Sequence, residues 1–185
     1  GLMMHALDDT ELVRLFKSGE QREAAFTTIV KRYQEKVYWQ IRRMVVSHDD
    51  ADDVMQNVFI KAWNGLDDFR ENAKLYTWLF KIASNESLTF LGQQKRRASI
   101  SLDNVHDHLE EKLRVEKDFD ENKTIWKLQM AILQLPEKQR QVFQLRYYEE
   151  MPYEEMSQLL DTSVGALKAS YHHAVKKIEE YVLNH

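Results

Sequence analysis

Apolar residues recur at intervals of three and four along most of this chain, and glycine and proline, the two residue types that interrupt helices, are scarce. Such spacing places the apolar side chains on one face of an α-helix, which has 3.6 residues per turn. The 185-residue sequence has only five glycines and two prolines, which argues against barrels, sandwiches and glycine-rich phosphate loops. The sequence therefore predicts an all-α fold.

Three helices are predicted in the N-terminal half. The first carries the apolar stripe from Phe26 to Val45. The second begins after Asp49, the predicted N-cap, and ends near Gly65, where glycine permits a helix stop. The third runs from Leu75 to about Gly92. The inward positions expected for the second helix are Ala51, Val54, Val58 and Ala62.

The chain changes character after its basic cluster at residues 93–97. Residues 98–121 are rich in acidic side chains and lack a clean apolar stripe, which predicts a linker with transient helix near Leu109–Leu113. Four helices follow, the first stopped by Pro136, and the last two have helix-turn-helix spacing. We expect two small helical domains, residues 1–97 and 122–185, joined by an acidic linker at 98–121, with the C-terminal domain a four-helix module.

Composition excludes several classes of function. The chain has no cysteine, so disulfides, thiol nucleophiles and cysteine-ligated zinc are excluded. No nucleophile–base arrangement, glycine-rich loop or metal-ligand spacing appears, so we expect no catalytic residue, cofactor or metal. No apolar run has membrane-spanning length and no basic-then-apolar leader is visible, which predicts a cytoplasmic protein without membrane insertion.

The formal net charge of −4 disfavours a tight DNA binder that acts alone, because phosphate neutralisation supplies most non-specific affinity. It permits a factor that contacts DNA while a larger partner holds it there.

The segment from Pro152 to Lys168 has the pattern of a helix-turn-helix, whose second helix enters the major groove. Ser163 is the predicted cap of that helix and a possible phosphate donor. Its groove-facing residues are predicted to be Lys168, Ala169, His172 and His173, with Lys176 and Lys177 nearer the backbone. The alternative is a helical hairpin that binds nothing.

An acidic first turn opens the helix that contains Asp50 and Asp53. The simple interpretation is complementation of the helix dipole, at about 0.3–1 kcal/mol per carboxylate. A metal site is disfavoured because EF-hand spacing is absent. The functional interpretation is a docking face for a basic partner.

Aromatic residues alternate with Lys, Arg and Asn between Phe69 and Lys81. Aromatic rings stack on unpaired bases while cations hold phosphates. The alternative is that Trp78 and Phe80 belong to the core, and one of them should, since residues two apart point to different sides of a helix. The polar loop before this helix is the better candidate for capturing a base.

These segments together resemble the extracytoplasmic-function group of the sigma-70 family, from about Phe26 to Val182. Asp50–Trp63 (DADDVMQNVFIKAW) resembles its acidic helix, Phe69–Leu79 its "FR…YTWL" segment, and Leu135–Phe143 its "LP…R.VF" motif. The resemblance implies a transcription initiation factor that binds core RNA polymerase and directs it to promoters.

The resemblance also implies residue roles. The polymerase clamp helices would bind Asp50, Asp53, Gln56 and Asn57, although Glu is common at the position of Asn57. The minus-ten element would be contacted by Phe69, Arg70, Asn72, Lys74, Tyr76, Trp78, Lys81 and Asn85. The minus-thirty-five element would be contacted by Ser163, Lys168, Ala169, His172, His173, Lys176 and Lys177. The acidic linker would extend toward the catalytic and RNA-exit channels of the polymerase.

Partners implied by the resemblance are core RNA polymerase (its largest-subunit clamp helices and its flap), promoter DNA and an anti-sigma factor, with a monomer as the free state. The recognition helix departs from the family, which usually carries more arginine there: Lys168 stands where arginine is common, and Ser170 replaces a frequent basic residue. His172 and His173 occupy a stretch that faces bases and backbone. We therefore hypothesise an unusual promoter sequence and weak C-terminal affinity.

Two other functions fit parts of the sequence. A helix-turn-helix regulator that binds an operator without polymerase would need a sensor pocket and usually a dimer. A helical adaptor with no DNA role leaves the C-terminal module unexplained. A native mass measurement distinguishes the regulator from a sigma factor, because a stable homodimer favours the regulator and a monomer favours the sigma factor.

Overall fold

The computed structural model describes residues 3–97, 102–115 and 123–185, and within these ranges no β-strand occurs. The helices are α1 (Asp9–Ser18), α2 (Arg22–Val45), α3 (His48–Gly65), α4 (Leu75–Arg97), α5 (Leu102–Val115), α6 (Lys123–Leu133), α7 (Glu137–Tyr147), α8 (Tyr153–Leu160) and α9 (Val164–Asn184). Short 3-10 turns lie at Met4–Ala6 and Leu66–Asp68. The all-α prediction is confirmed.

Helix α1 precedes the first helix that the apolar stripe predicted. Asp8 caps it, accepting a hydrogen bond from the backbone N–H of Glu11 at 2.9 Å, and Gly19 ends it at φ 81°, a conformation that glycine adopts without steric cost. Leu12 and Phe16 are fully buried in a core shared with α2 and α4. The N-terminal module therefore consists of α1 to α4.

The junction between α2 and α3 is a tight turn at Val46, whose φ is 74° and ψ is −50°. The N–H of Ser47 donates to the carbonyl of Val45 at 2.9 Å, which makes a strained γ-turn. The buried Arg42 stabilises it by donating from Nε to the Val46 carbonyl at 2.6 Å.

The N-cap of α3 is Ser47, so the prediction of Asp49 was wrong. The Ser47 hydroxyl accepts from the backbone N–H of Asp50 at 3.4 Å, and Asp49 lies inside the first turn. Because Ser47 lies directly after the turn, its side chain reaches the free N–H groups first. The four predicted inward residues of α3 are all buried.

The predicted linker contains a helix, α5, that is more regular than the transient helix expected. Leu109 and Leu113, one turn apart, are each 1% exposed and belong to a core that includes residues of both modules. The helix is amphipathic, and packing of its apolar side against other elements stabilises it. Residues 98–101 and 116–122, which include both predicted linker boundaries, lie outside the described ranges.

The C-terminal module consists of four helices, α6 to α9, as predicted. Pro136 and Pro152 occupy the positions before α7 and α8. Asp161 ends α8 in the left-handed region at φ 52°, and Ser163 caps α9 by accepting from the N–H of Ala166 at 3.2 Å. The predicted cap at Ser163 is confirmed.

The two modules pack on each other. Helix α7 lies against α2, and α8 lies against α4. The apolar core is continuous across this boundary, from Val37 and Ile41 of α2 to Val142 and Leu145 of α7.

Candidate functional site

The outer side of α3 presents polar side chains opposite its buried stripe. Asp53, Gln56 and Asn57 are exposed and lie within one turn of one another. Asp50, the fourth predicted docking residue, is only half-buried, and its carboxylate lies 2.5 Å from Nζ of Lys112 on α5. The face is therefore open, with one of its carboxylates already paired.

The loop of residues 69–74 connects the 3-10 turn to α4 and bears the predicted base-capture residues. Phe69 is 5% exposed, and its ring lies 5.3 Å from the ring of Trp78. Phe69 therefore packs into the core and anchors the start of the loop. Arg70 and Asn72 are exposed. We call the loop and the adjoining turns of α4, through Asn85, the loop–α4 surface.

Two cavities of about 480 and 490 Å³ adjoin this surface, and both are lined by Phe69, Asn72, Ala73 and Thr77. Lys74 lines the first, and Trp78 and Lys81 line the second. Asn85 is exposed further along α4 and lines a separate cleft with Lys138. The structure thus brings most of the predicted minus-ten residues together around two recesses.

Three polar groups of the loop–α4 surface are paired with carboxylates of the C-terminal module. Nζ of Lys74 lies 2.9 Å from Oε1 of Glu155, and the Tyr76 hydroxyl donates to the other oxygen of that carboxylate. Nζ of Lys81 lies 3.0 Å from Oδ2 of Asp161. Two of the cations that would hold phosphates, Lys74 and Lys81, are therefore paired within the chain.

These contacts alter the ionisation of the paired groups. Partial burial alone would raise the pKa of Glu155, but hydrogen bonds from Tyr76 and Lys74 outweigh it and lower that pKa below its usual value. The hydrogen bond to Glu155 raises the pKa of Lys74. Both groups are charged at neutral pH.

The outer half of α9 carries all of the predicted minus-thirty-five residues. Lys168, Ala169, His172, His173, Lys176 and Lys177 are exposed, as is the cap Ser163. The buried positions Leu167, Ala174 and Ile178 lie on the opposite side. The helix therefore offers a continuous basic and polar face about half its circumference wide.

Some residues that organise these surfaces were not predicted to do so. Nothing local pairs Glu155 with Lys74, which is 81 positions away. Arg140 appeared only as a motif residue, and Lys112 only as part of the linker. Each owes its role to the packing of one module on the other.

No cluster of three or more His or acidic side chains that would suit a metal ion is found in the described part of the chain. Among the helices described, none is both long and apolar enough to cross a membrane.

Two family models match this chain. Residues 29–97 match Sigma-70 region 2, and residues 125–178 match Sigma-70, region 4. The first match contains α3, α4 and the loop between them, and the second contains the helix-turn-helix.

Curated relatives match over nearly the whole length. The chain is 32% identical to the ECF RNA polymerase sigma-E factor of Escherichia coli strain K12, with 97% of each chain covered. It is 31% identical to the protein of the same name from Haemophilus influenzae, with 97% of this chain and 98% of the relative covered.

Two solved structures share the fold. CnrH, in complex with the cytosolic domain of CnrY, has a TM-score of 0.67 and 25% identity, with 93% of this chain and 95% of that chain covered. The sigma factor RpoE from Bartonella quintana, in complex with the anti-sigma factor NepR, has a TM-score of 0.67 and 18% identity, with 85% and 96% covered.

Proposed function

The chain belongs to the extracytoplasmic-function group of the sigma-70 family, and from this we propose that its three polar surfaces bind core RNA polymerase, the minus-ten element and the minus-thirty-five element. It is a promoter-directing transcription initiation factor and not an enzyme. The assignment of the surfaces rests on where they lie in the matched regions. The α3 face and the loop–α4 surface lie in region 2, and the α9 face lies in region 4.

The α3 face docks on core polymerase, on the clamp helices of its largest subunit. Asp53, Gln56 and Asn57 are exposed and rigidly spaced by the helix, and Asp50 joins them once Lys112 releases it. Carboxylates and amides on a helix suit a partner with basic side chains.

The loop–α4 surface holds the unpaired strand of the minus-ten element. Each of its two cavities of nearly 500 Å³ has room for a flipped base, and Lys74 and Lys81 lie where phosphates would pass. Flipping a base costs a few kcal/mol, which stacking on an aromatic ring such as Trp78 partly offsets.

The α9 face enters the major groove at the minus-thirty-five element. Lys168 and His172 lie one turn apart on its exposed side, and Lys176 and Lys177 follow about one turn after His172, where they can reach backbone phosphates. The chain acts as a monomer in the cytoplasm, and an anti-sigma factor restrains it, as the relatives' partners suggest.

The first test of this function is co-purification with bacterial core RNA polymerase. Wild type should be retained, and Asp53→Ala/Gln56→Ala should lose most of its binding, because both changes fall on the exposed side of α3. Asp68→Ala, which removes an exposed carboxylate outside that face, is the matched control. If wild type ignores core polymerase but shifts duplex DNA alone, the operator-binding regulator replaces this proposal.

A further inference from the structure

Two adjacent histidines lie near the centre of the exposed side of α9. His172 and His173 are both exposed, and they follow Ala169 by three and four positions, so that one imidazole lies on each side of the line through Ala169. Gly165 and Ala169, which are also exposed, have no long side chain and let the helix approach a DNA duplex closely. The short imidazoles therefore lie where the DNA would be nearest.

The free chain offers these imidazoles no anionic partner. Within the part of the chain that the structure describes, neither ring makes a hydrogen bond or an ion pair, and the two rings lie 6.0 Å apart, measured between their centres. Helix α9 has no carboxylate between residues 164 and 178. The first ones, Glu179 and Glu180, lie about two turns beyond the histidines.

Lysines border the two histidines on α9 itself. Lys168 lies one turn before His172, and Lys176 and Lys177 lie one turn after His172 and His173. All three lysines are exposed. The face that would meet DNA is therefore cationic or neutral along this whole part of the helix.

Helices α7 and α8 add a cation and an aromatic ring to one flank of the α9 face. The guanidinium of Arg146 lies 4.5 Å from the ring centre of Tyr153, and Nζ of Lys168 lies 5.8 Å from the same ring. This flank therefore supplies no negative charge to His172.

The other flank carries a carboxylate that is already paired. Ser170 lines a cleft with Lys138 and Asp161, and Oδ2 of Asp161 lies 3.0 Å from Nζ of Lys81. Helix α6 packs against the buried side of α9 in an apolar cluster. A proton on either imidazole would therefore find its counter-charge in bound DNA and not in the chain.

We propose that proton uptake by His172 and His173 controls the binding of the α9 face to DNA, so that binding of the minus-thirty-five element strengthens as the pH falls from about 8 to about 6. This inference deepens the proposed function and rests on it, since it concerns the regulation of the face assigned above to that element.

Histidine suits this role because its charge ordinarily changes between about pH 5 and pH 8, unlike the charge of lysine, arginine or a carboxylate. A neutral imidazole has one donor and one acceptor, whereas an imidazolium has two donors and a positive charge. The added proton comes from solvent, and the new N–H donates to a phosphate oxygen, whose charge stabilises the imidazolium.

The direction of the pH dependence follows from this linkage. The complex holds more protons than the free chain, so the contribution of the histidines is present at low pH and is lost as the pH rises. The formal net charge of −4 counts histidine as neutral. Each proton gained on the α9 face therefore offsets part of the negative charge that opposes DNA binding.

The test compares the full-length wild type with three variants. His172→Gln/His173→Gln keeps polar side chains that are compatible with a helix and take up no proton in this range. His172→Lys/His173→Lys fixes a positive charge at both positions. His5→Gln/His185→Gln removes two exposed imidazoles outside the α9 face and is the matched control.

Each chain is titrated at low ionic strength onto a labelled duplex DNA of mixed sequence, because phosphate contacts do not depend on sequence. Wild type and the matched control should bind about three- to twentyfold more tightly at about pH 6 than at about pH 8, from two contacts with the strength of exposed ion pairs. Their affinity should also fall more steeply with salt at the lower pH. The glutamine and lysine variants should lose this dependence on pH.

Proton NMR of the imidazole C2 hydrogens adds a readout that a purely structural role of the histidines would not change. At neutral pH, addition of the duplex to wild type should move the signals of His172 and His173 toward those of the protonated ring. The signals of His5 and His185 should stay where they are.

Equal affinity of wild type at both pH values, or a pH dependence that the glutamine variant retains, would overturn the inference and leave the α9 face as the duplex-binding surface. If no chain binds the duplex at either pH, the lysine variant included, the proposed function of the α9 face fails and the inference fails with it.

Discussion

At the scale of single residues, Glu155 shows how the packed state changes a carboxylate. It receives hydrogen bonds from Lys74 and Tyr76, which stabilise its charged form. A carboxyl whose pKa is lowered in the folded state stabilises that state above its unfolded pKa and loses this contribution as pH falls through the folded value. The contact with α4 is therefore fully formed at neutral pH and weakens only in acid, below about the ordinary glutamate pKa of 4.5.

A titration of the Glu155 carboxyl by carbon-13 NMR tests this. The pKa should lie below 4.5 in wild type and rise toward that value in Tyr76→Phe, because the variant loses one donor to the carboxylate. Tyr147→Phe, an exposed tyrosine of the same module, should leave the pKa unchanged. A wild-type pKa at or above the ordinary value would mean that the Lys74 and Tyr76 contacts are absent in solution.

At the scale of elements, α5 packs against both modules and is not a free linker between them. Lys112 pairs with Asp50 of α3, while the guanidinium of Arg114 lies 5.9 Å from the ring centre of Trp126 on α6. Leu109 and Leu113 fill the core beneath. A helix held this way takes one docking residue out of use as long as it remains in place.

Lys112→Gln should therefore increase the affinity for core polymerase, by about two- to fivefold if the ion pair has the strength typical of partly exposed pairs. Loss of the lysine frees Asp50 and loosens α5 on α3. Equilibrium binding of fluorescently labelled chain to core enzyme measures the change, with Lys31→Gln, exposed on α2, as the control. Equal affinities for all three chains would show that α5 does not restrict the α3 face.

At the scale of the whole molecule, the relation between the modules decides which surfaces are available. A compact chain of this length should have a radius of gyration of about 16 Å. Hydrogen bonds from a charged group contribute about 1.5–3 kcal/mol each, so the two that Arg140 donates to α2 weigh heavily in the balance between packed modules (the closed form) and separated modules (the open form).

Arg140→Ala should shift this balance toward the open form and raise the radius of gyration in small-angle X-ray scattering. The freed carbonyls of α2 gain water, and both hydrogen bonds that the Arg140 side chain donates go to α2 and not to the C-terminal module. Lys138→Ala, exposed on the same helix, should scatter like wild type. Circular dichroism must show unchanged helix content, and a compact Arg140→Ala chain would show that Arg140 does not hold the modules together.

The sequence by itself determined the helices other than α1 and α5, and the outward faces of α3 and α9. The inward set from Ala51 to Ala62 and the cap at Ser163 follow from spacing and side-chain type, which act within a few residues. Prediction from local sequence failed at Asp49, because the tight turn at Val46 makes Ser47 the N-cap of α3. It also failed at α5, because the order of that helix depends on packing against other elements.

Only the tertiary structure decided which charges meet. Glu155 and Lys74 are 81 positions apart, and Arg140 lies 97 positions from Arg43, whose carbonyl it caps. No periodicity links such pairs, because their distance is set by how one module packs on the other and not by the geometry of any single helix. The pattern of residues thus specified the surfaces, while the packing specified that α8 covers one of them.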